Sequence, residues 1–225
     1  VLLNPIWVGR TPAKVYPEDV FVSYPYAYLA AGENGLQVLD ISNPATPRQI
    51  NQLDTPGYAH AVYQSGDLVF VANGSDGLSV VDISDLTQPL PILETIPLED
   101  QVLDVVVQAG FAYLANGSNG LRIIDLRDPR NPNELGRLDT PGNANGLALY
   151  STYVLLADGG AGLRIIDTSN PLQPQEIGAW DTSGDAQAVG VLLKPAAVQP
   201  QATPDSGSSM PLPDETQSTA AGQAP

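Results

Sequence analysis

Gly120-Leu-Arg-Ile-Ile-Asp125 is one of four closely related copies of a short sequence in this chain. The other copies begin at Gly35, Gly77 and Gly162, which makes the successive steps 42, 43 and 42 residues. A fixed period of this length is typical of repeat architectures, in which each unit is one supersecondary motif. The repeat therefore predicts the fold of most of the chain.

Each repeat unit has the pattern of four short β-strands. An apolar first strand, such as residues 102–107 of the third unit, precedes a second strand of the Ala-Tyr-Leu-Ala type, and a Gly-rich hairpin such as Gly117-Ser-Asn-Gly120 leads into the third strand. Asn, Asp and Gly tolerate the positive φ of tight hairpins. The third strand is rich in β-branched residues, which suit a pleated, half-buried surface. A Pro-rich loop and a more polar fourth strand, such as residues 134–138, end the unit.

Four strands in about 42 residues match one blade of a β-propeller. A single blade cannot bury both of its faces, whereas a stack of blades can. No segment shows helical periodicity. The sequence therefore predicts an all-β fold, a β-propeller over residues 1–193 with four complete four-stranded blades.

Partial strands are expected at both ends of the propeller. Residues 4–10 align with the fourth strand of a unit at residues 131–137, and residues 186–193 align with a first strand. Three explanations remain open: the chain is a fragment, the two orphan strands pair into a thin closing blade, or two chains join their open arcs into a larger ring. The third explanation is motivated by strand edges that need covering.

The repeated cores resemble those of the LVIVD-repeat β-propellers of bacteria and archaea. The resemblance lies in the cores that begin at Leu36, Leu78, Leu121 and Leu163, and in the Asp-Thr-Pro-Gly loops at residues 54–57 and 139–142. Residues 181–184 are a variant of this loop, and the second unit departs from it with Ile-Pro-Leu-Glu at residues 96–99. The resemblance implies a propeller in a surface or secreted protein, and it supplies no catalytic residues.

Composition limits the classes of partner. Nine basic and 25 acidic residues give a formal charge of −16, which argues against nucleic-acid binding through phosphates. The charge suits solubility, and it also suits cationic partners or divalent ions. The chain has no cysteine, so disulfides and thiolate metal sites are excluded, and no apolar run is long enough for a membrane span. Residues 194–225 are rich in Pro, Gln, Ser and Thr, which predicts a flexible tail.

A candidate ligand site follows from the repeat register. The first strand of a propeller blade lines the central channel, and several equivalent positions at its start are polar. The candidate channel-mouth residues are Glu18, Asp19, His60, Asp104, Asn145 and Gln187. They could bind a cation or a polar ligand, or they could satisfy backbone ends and channel water.

No recognisable catalytic or metal motif accompanies these residues. His60 is the single histidine, and zinc sites need several His or Cys ligands. The repeated aspartates Asp40, Asp82, Asp125 and Asp167 each precede a turn, so we expect them to bond nearby backbone N–H groups. No resident metal or other cofactor is predicted, although a Ca²⁺ ion at the channel mouth is possible.

Two functional hypotheses follow. The first is a non-enzymatic scaffold or binding module of a surface-exposed or exported protein, with other proteins, a second copy or subunits of an extracellular assembly as partners. Its partner face would be the loops that carry Tyr58, Asn143 and Asp185, because function concentrates on loops held by a rigid scaffold. The alternative is a ligand-binding or metal-dependent enzyme at the channel mouth, acting on a polar substrate such as a sugar.

Overall fold

The computed structural model describes residues 16–88 and 90–192, which form strands, turns and loops without a helix. The strands of blade 1 are β1 (Asp19–Ser23), β2 (Tyr26–Ala30), β3 (Leu36–Asp40) and β4 (Arg48–Leu53). Those of blade 2 are β5 (Ala61–Ser65), β6 (Leu68–Ala72), β7 (Leu78–Asp82) and β8 (Ile92–Ile96). Those of blade 3 are β9 (Asp104–Gln108), β10 (Phe111–Ala115), β11 (Leu121–Asp125) and β12 (Asn133–Leu138). Those of blade 4 are β13 (Gly146–Tyr150), β14 (Tyr153–Ala157), β15 (Leu163–Asp167) and β16 (Gln175–Trp180).

Each blade is an antiparallel sheet whose four strands pair in chain order. The third and fourth strands shift register at the same place in every blade, for example between Ile123 and Ile124 in blade 3. Such a β-bulge bends the outer strand and increases its twist. The predicted all-β propeller architecture, with four blades of four strands, is confirmed.

Two details of the strand predictions are wrong. The first strand of the third unit, expected to begin at Val102, begins at Asp104, because Val102 instead forms a bridge with Gly74 of the preceding blade. A fifth first strand over residues 186–193 is not formed as far as residue 192, where the described chain ends. Ala186 forms a single bridge with Gly159, and residues 187–192 have no strand partner. The predictions for residues 4–10 and for the tail lie outside the described residues.

The blades pack on one another through their sheet faces. Their first strands, β1, β5, β9 and β13, are neighbours in chain order. Between blades 1 and 2, Tyr28 and Leu36 belong to one apolar cluster with Val62 and Val71. Corresponding clusters fill the spaces between blades 2 and 3 and between blades 3 and 4. Burial of these faces is the main force that holds the stack together.

Backbone bridges tie each hairpin to the chain that enters the next blade. The N–H of Gly32 donates to the carbonyl oxygen of Ala59 (3.1 Å), and the N–H of Ala59 donates back to Gly32 (3.0 Å). The same bridge joins Gly74 to Val102, Gly117 to Ala144 and Gly159 to Ala186. The hairpins, the loops between blades and the starts of the first strands therefore lie together, at what we call the hairpin end.

Candidate functional site

The polar residues predicted to line the channel mouth lie at the hairpin end, and two of them connect blades. Asp19 Oδ1 accepts the N–H of Val20 (2.8 Å), and its Oδ2 accepts the N–H of Val62 in blade 2 (3.0 Å). Asp104 repeats this arrangement with Val105 (2.8 Å) and with Leu147 of blade 4 (2.7 Å). Each carboxylate thus links the first strands of two adjacent blades.

In blades 2 and 4, the positions equivalent to these aspartates carry very small residues. The equivalents of Asp19 and Asp104 are Ala61 in blade 2 and Gly146 in blade 4. A Cβ on Gly146 would lie 3.6 Å from Asp104 Oδ2 and 2.9 Å from the carbonyl oxygen of Gln187. The distance to Asp104 is an ordinary contact, so the close approach at Gly146 is to the backbone of Gln187.

Burial dominates the electrostatics of Asp104. Loss of water raises the pKa of its carboxyl group to about 6, and the nearby Asp19 carboxylate acts in the same direction. The two backbone N–H donors act in the opposite direction because they stabilise the ionised form. Asp104 is therefore a half-buried carboxyl group that stays protonated to a higher pH than an ordinary aspartate does.

The raised pKa predicts how stability changes with pH. Native Asp104 holds its proton up to about pH 6, whereas the unfolded chain releases it near the ordinary value of 3.8. This stabilising contribution is complete below about pH 4 and is lost as pH rises through 6. We expect the stability of the wild type to fall by about 1–2 kcal/mol relative to the D104N variant between these limits. Urea unfolding of both proteins at intervals from pH 4 to 7 measures it.

The comparison with D104N separates this effect from the background titrations, including that of His60, whose lowered pKa makes stability rise with pH in the same range. Hydrogen bonds from Ser42 and Arg48 lower the pKa of Asp40 to about 2, and Arg127 does the same to Asp125. Their stabilising contributions have the opposite sign, since they are lost as pH falls below the ordinary value of about 3.8. A stability difference between wild type and D104N that is constant from pH 4 to 7 would contradict the assignment.

A second group at the hairpin end joins Glu18, Tyr58 and His60. The Tyr58 hydroxyl donates to Glu18 Oε1 (2.5 Å), and the Tyr58 and His60 ring centroids are 4.8 Å apart. The bond to Glu18 raises the pKa of Tyr58. Burial lowers the pKa of His60, with Glu18 acting in the opposite direction. Repeat spacing alone does not indicate this contact, because Tyr58 lies in the loop between blades 1 and 2.

Asn143 and Asn145 form a third hydrogen-bonded group. Asn143 Nδ2 donates to Asn145 Oδ1 (2.5 Å), and Asn145 Nδ2 donates to the carbonyl oxygen of Ala186 (3.0 Å). Asp185 and Gln187 follow in the exposed chain after blade 4. The channel-mouth residues are thus divided among three local groups. Within residues 16–88 and 90–192, no three His, Cys, Asp or Glu side chains approach closely enough to hold a metal ion.

The repeated aspartates lie at the end of each blade opposite the hairpin end, and they bond nearby backbone N–H groups as predicted. Each accepts the backbone N–H two residues later, at 2.9 Å for Asp40, Asp82 and Asp167 and at 3.0 Å for Asp125. A second set of residues makes the same contact three positions further along the chain. It comprises Asn43, Asp85, Asp128 and Asn170. Sequence reasoning missed this second set, although its period is the same as that of the first.

Sequence reasoning also missed a buried polar pair beneath the hairpins of blades 2 and 4. In blade 4 the fully buried Asp158 accepts the Thr140 hydroxyl (2.6 Å) and the N–H of Gly142 (3.0 Å), and it lies 3.5 Å from Arg164 Nε. In blade 2 the equivalent pair is Asn73 and Ser79, joined at 2.8 Å. The pairs consist of one residue just before the hairpin and one in the third strand, a spacing that the repeat alignment could have shown.

Comparison with known proteins identifies the family. The LVIVD repeat model matches residues 16–55, 56–93, 101–140 and 141–182, which correspond to the four blades. A search of curated proteins finds no match. No helix in the described part of the chain is long and apolar enough to cross a membrane.

One solved structure with the same fold is the crystal structure of the computationally designed Ika8 protein. It is 13% identical, with a TM-score of 0.63, and the match covers 77% of this chain and 52% of that chain. This chain thus spans about half the length of the designed protein, and at such low identity the likeness concerns the fold alone. Because the four family matches cover most of the chain and coincide with its blades, this protein belongs to the LVIVD-repeat family.

Proposed function

We propose that this protein is a non-enzymatic β-propeller scaffold whose hairpin end binds another protein. The observation that carries the proposal is the use of Asp19 and Asp104. Both oxygens of each carboxylate accept backbone N–H groups, one from the same blade and one from the next. These acidic side chains therefore connect the blades, and their hydrogen-bonding capacity toward a ligand is reduced.

The loops of the hairpin end supply the proposed binding surface. Tyr58, Asn143 and Asp185 are exposed there, and the backbone bridges next to them hold the loops against rigid blades. Tyrosine is a frequent anchor of protein interfaces because it combines a large apolar ring with a polar tip. The formal charge of −16 favours a partner with a cationic surface, since complementary charge accelerates association.

A surface-exposed or exported location is part of the same proposal. It rests on what the family resemblance implies, and protease digestion of intact cells tests it. A protein that is cleaved in intact cells, while a cytoplasmic marker survives, is at the surface. Protection until the cells are broken would remove this part of the proposal and leave the binding surface to be tested separately.

The Glu18, Tyr58 and His60 group favours the alternative function, a ligand or metal site at the channel mouth. Burial keeps His60 neutral near pH 7, and a neutral imidazole beside a carboxylate and a phenol could bind a metal or accept a proton. A melting curve with millimolar Ca²⁺ or Mn²⁺ separates the two functions. The scaffold proposal expects an unchanged melting temperature, whereas an increase of several degrees would support the alternative.

Site-specific photo-crosslinking tests the binding surface. A photoreactive phenylalanine derivative replaces Tyr58 or Asn143 in the full chain, which is expressed in its native cells. The matched controls carry the same group at Thr46 or Arg130, which are exposed in loops at the opposite end of the blades. We expect a covalent partner adduct from positions 58 and 143 only. Adducts of equal yield from all four positions, or none, would contradict a hairpin-end partner.

A further inference from the structure

The outer strands of blades 1, 2 and 3 each face the loop that precedes the outer strand of the following blade. The pairing of third and fourth strands places Asn51, Glu94 and Gly136 at equivalent positions in these three blades. Each of them directly follows the residue that the β-bulge leaves unpaired. The three junctions between blades can therefore be compared position by position.

At the junction of blades 1 and 2, a side-chain amide closes the contact. Asn51 Nδ2 donates to the carbonyl oxygen of Gln88 (2.7 Å) and to that of Leu86 (3.2 Å). Both carbonyl groups belong to the loop between the third and fourth strands of blade 2. One NH₂ group thus supplies the two N–H donors that these two acceptors need.

At the junction of blades 3 and 4, the backbone closes the contact. Pro171 has in blade 4 the position that Leu86 has in blade 2. A Cβ added to Gly136 would collide with the carbonyl oxygen of Pro171. The lack of a side chain at this position lets the loop approach the outer strand directly, so no room remains there for a ligand.

The junction of blades 2 and 3 has neither arrangement. Glu94 has the position of Asn51, and the facing loop carries Pro129 and Asn131 at the positions of the two acceptors. A carboxylate has no N–H group to donate. Among the described turns and loops, no backbone N–H donates to the carbonyl oxygen of Pro129 or Asn131. A pocket is present at this junction, lined by Glu94, Thr95, Ile96, Pro97, Asn131 and Pro132.

We propose that this pocket binds a primary ammonium group. Such a group carries three N–H donors and one positive charge. Two donors suit the carbonyl oxygens of Pro129 and Asn131, as the NH₂ group of Asn51 suits its own pair. The third donor and the charge suit the carboxylate of Glu94, because hydrogen bonds between ionised groups are roughly twice as strong as neutral ones.

The described residues leave the Glu94 carboxylate available for this ligand. None of the ion pairs among residues 16–88 and 90–192 includes Glu94. Its Oε1 accepts the N–H of Thr95 (3.2 Å), and its side chain is exposed. Glu94 therefore retains acceptor capacity, since a carboxylate has about four lone-pair sites.

The other walls of the pocket favour an organic ammonium ion over a metal ion. Ca²⁺ takes about 6–8 oxygen ligands, whereas Ile96, Pro97 and Pro132 offer no side-chain oxygen. Apolar walls suit the carbon chain of an amine, in the way that apolar surface covers the methylene stem of a lysine side chain. The pocket thus combines a polar end for the ammonium group with an apolar rim for its carbon atoms.

A chemical-shift titration of the isotope-labelled full chain tests the proposal. Methylammonium is the probe, and tetramethylammonium is the matched ion, because it has the same charge but no N–H donor. We expect methylammonium to shift the amide signals of Thr95, Ile96 and Asn131 saturably, with a dissociation constant in the millimolar range. Tetramethylammonium is expected to leave them unchanged. Equal shifts from the two ions, or no saturable shift, would overturn the proposal.

Calcium chloride in the same titration tests the metal alternative. Absence of local shifts at the concentration that saturates methylammonium would support an ammonium site. Saturable shifts of the same signals at a lower concentration than methylammonium requires would show a metal site and overturn the proposal.

Glu94→Asn is the decisive variant, because it recreates the arrangement of Asn51 in blade 1. Its amide would donate to the two loop carbonyl groups and its carboxylate would be gone, so we expect methylammonium affinity to fall by more than about tenfold. Glu33→Gln is the matched control. It removes the same charge from the exposed hairpin of blade 1, and affinity should change by less than about twofold. Equal losses in the two variants would show general attraction to an acidic protein and would overturn the pocket.

A free amine and a lysine side chain offer the same ammonium chemistry. A short peptide with one lysine and blocked ends, titrated in the same way, distinguishes these sources. Shifts from methylammonium alone would identify a small amine as the ligand, whereas shifts from both would identify a lysine side chain as an accepted ligand. The pocket contains none of Tyr58, Asn143 and Asp185, so this proposal and the proposed function can fail independently.

Discussion

Replacing Gly120 with alanine is expected to lower the free energy of unfolding by about 2–5 kcal/mol. Gly120 closes the hairpin of blade 3 with a φ of +70°, which is unfavourable for any residue with a Cβ. An added Cβ would also collide with the carbonyl oxygen of Leu138 and would lie 2.6 Å from the N–H nitrogen of Thr140. Leu138 ends the outer strand and Thr140 follows it closely, and because both atoms are backbone atoms the collision cannot be relieved by a side-chain rotation. Urea unfolding of the two proteins measures the effect.

Two other glycines provide controls that separate strain from collision. Gly66 has a φ of +59°, but an added Cβ there would have no atom within 4 Å, so its substitution by alanine should cost only about 1–2 kcal/mol. Gly184 has neither a positive φ nor a close neighbour, and its substitution should change stability by less than about 0.5 kcal/mol. Equal effects at positions 66 and 120 would mean that the close approach to Leu138 contributes nothing.

The glycine pattern shows why so much of the fold could be predicted from the sequence. Gly35, Gly77, Gly120 and Gly162 all have positive φ, and at each of them a Cβ would meet the backbone of the fourth strand. Because every blade requires a residue without a Cβ at this position, glycine recurs there with the period of the repeat. The repeated aspartates, which bond the N–H two residues later, were predictable for the same reason.

Contacts between blades were not predictable in this way. Asp19 and Asp104 were predicted at the channel mouth as separate polar positions, and the structure shows that each also accepts an N–H group from a residue 43 positions later, in the next blade. A repeat alignment shows which residues are equivalent and does not show which of them touch. The sequence therefore indicated the polar character of these positions, and the structure adds the hydrogen bonds that Asp19 and Asp104 make between blades.

The exposure of equivalent apolar residues is the other feature that the sequence leaves open. Val20 and Val62 occupy equivalent positions and have the same side chain, yet one is 55% exposed and the other 3%. Val62 packs in one apolar cluster with Tyr28 and Leu36 of blade 1, whereas no cluster of the described residues includes Val20. Residue identity reports which surface a strand can bury, whereas contacts with other parts of the fold decide how far that surface is covered.

Replacing Asp158 with alanine is expected to destabilise the protein by about 3 kcal/mol, the other large effect among the substitutions considered. The change leaves the Thr140 hydroxyl, the N–H of Gly142 and the half-buried Arg164 guanidinium without their shared acceptor. Arg164 also lies 3.6 Å from Glu176 and 3.8 Å from Asp181. These contacts keep the expected cost at the lower end of the range for a broken buried ion pair.

The chain itself provides a template for a double-mutant cycle at this pair. Blade 2 carries Asn73 and Ser79 at the positions of Asp158 and Arg164, and their side chains are hydrogen-bonded to each other. The D158N and R164S variants each leave one charged partner without the other, whereas the double variant recreates the neutral pair of blade 2. We therefore expect the double variant to be more stable than the sum of the two single effects predicts, by at least about 1 kcal/mol. Strict additivity in urea unfolding would show that the two side chains act independently and that the 3.5 Å approach contributes no coupling.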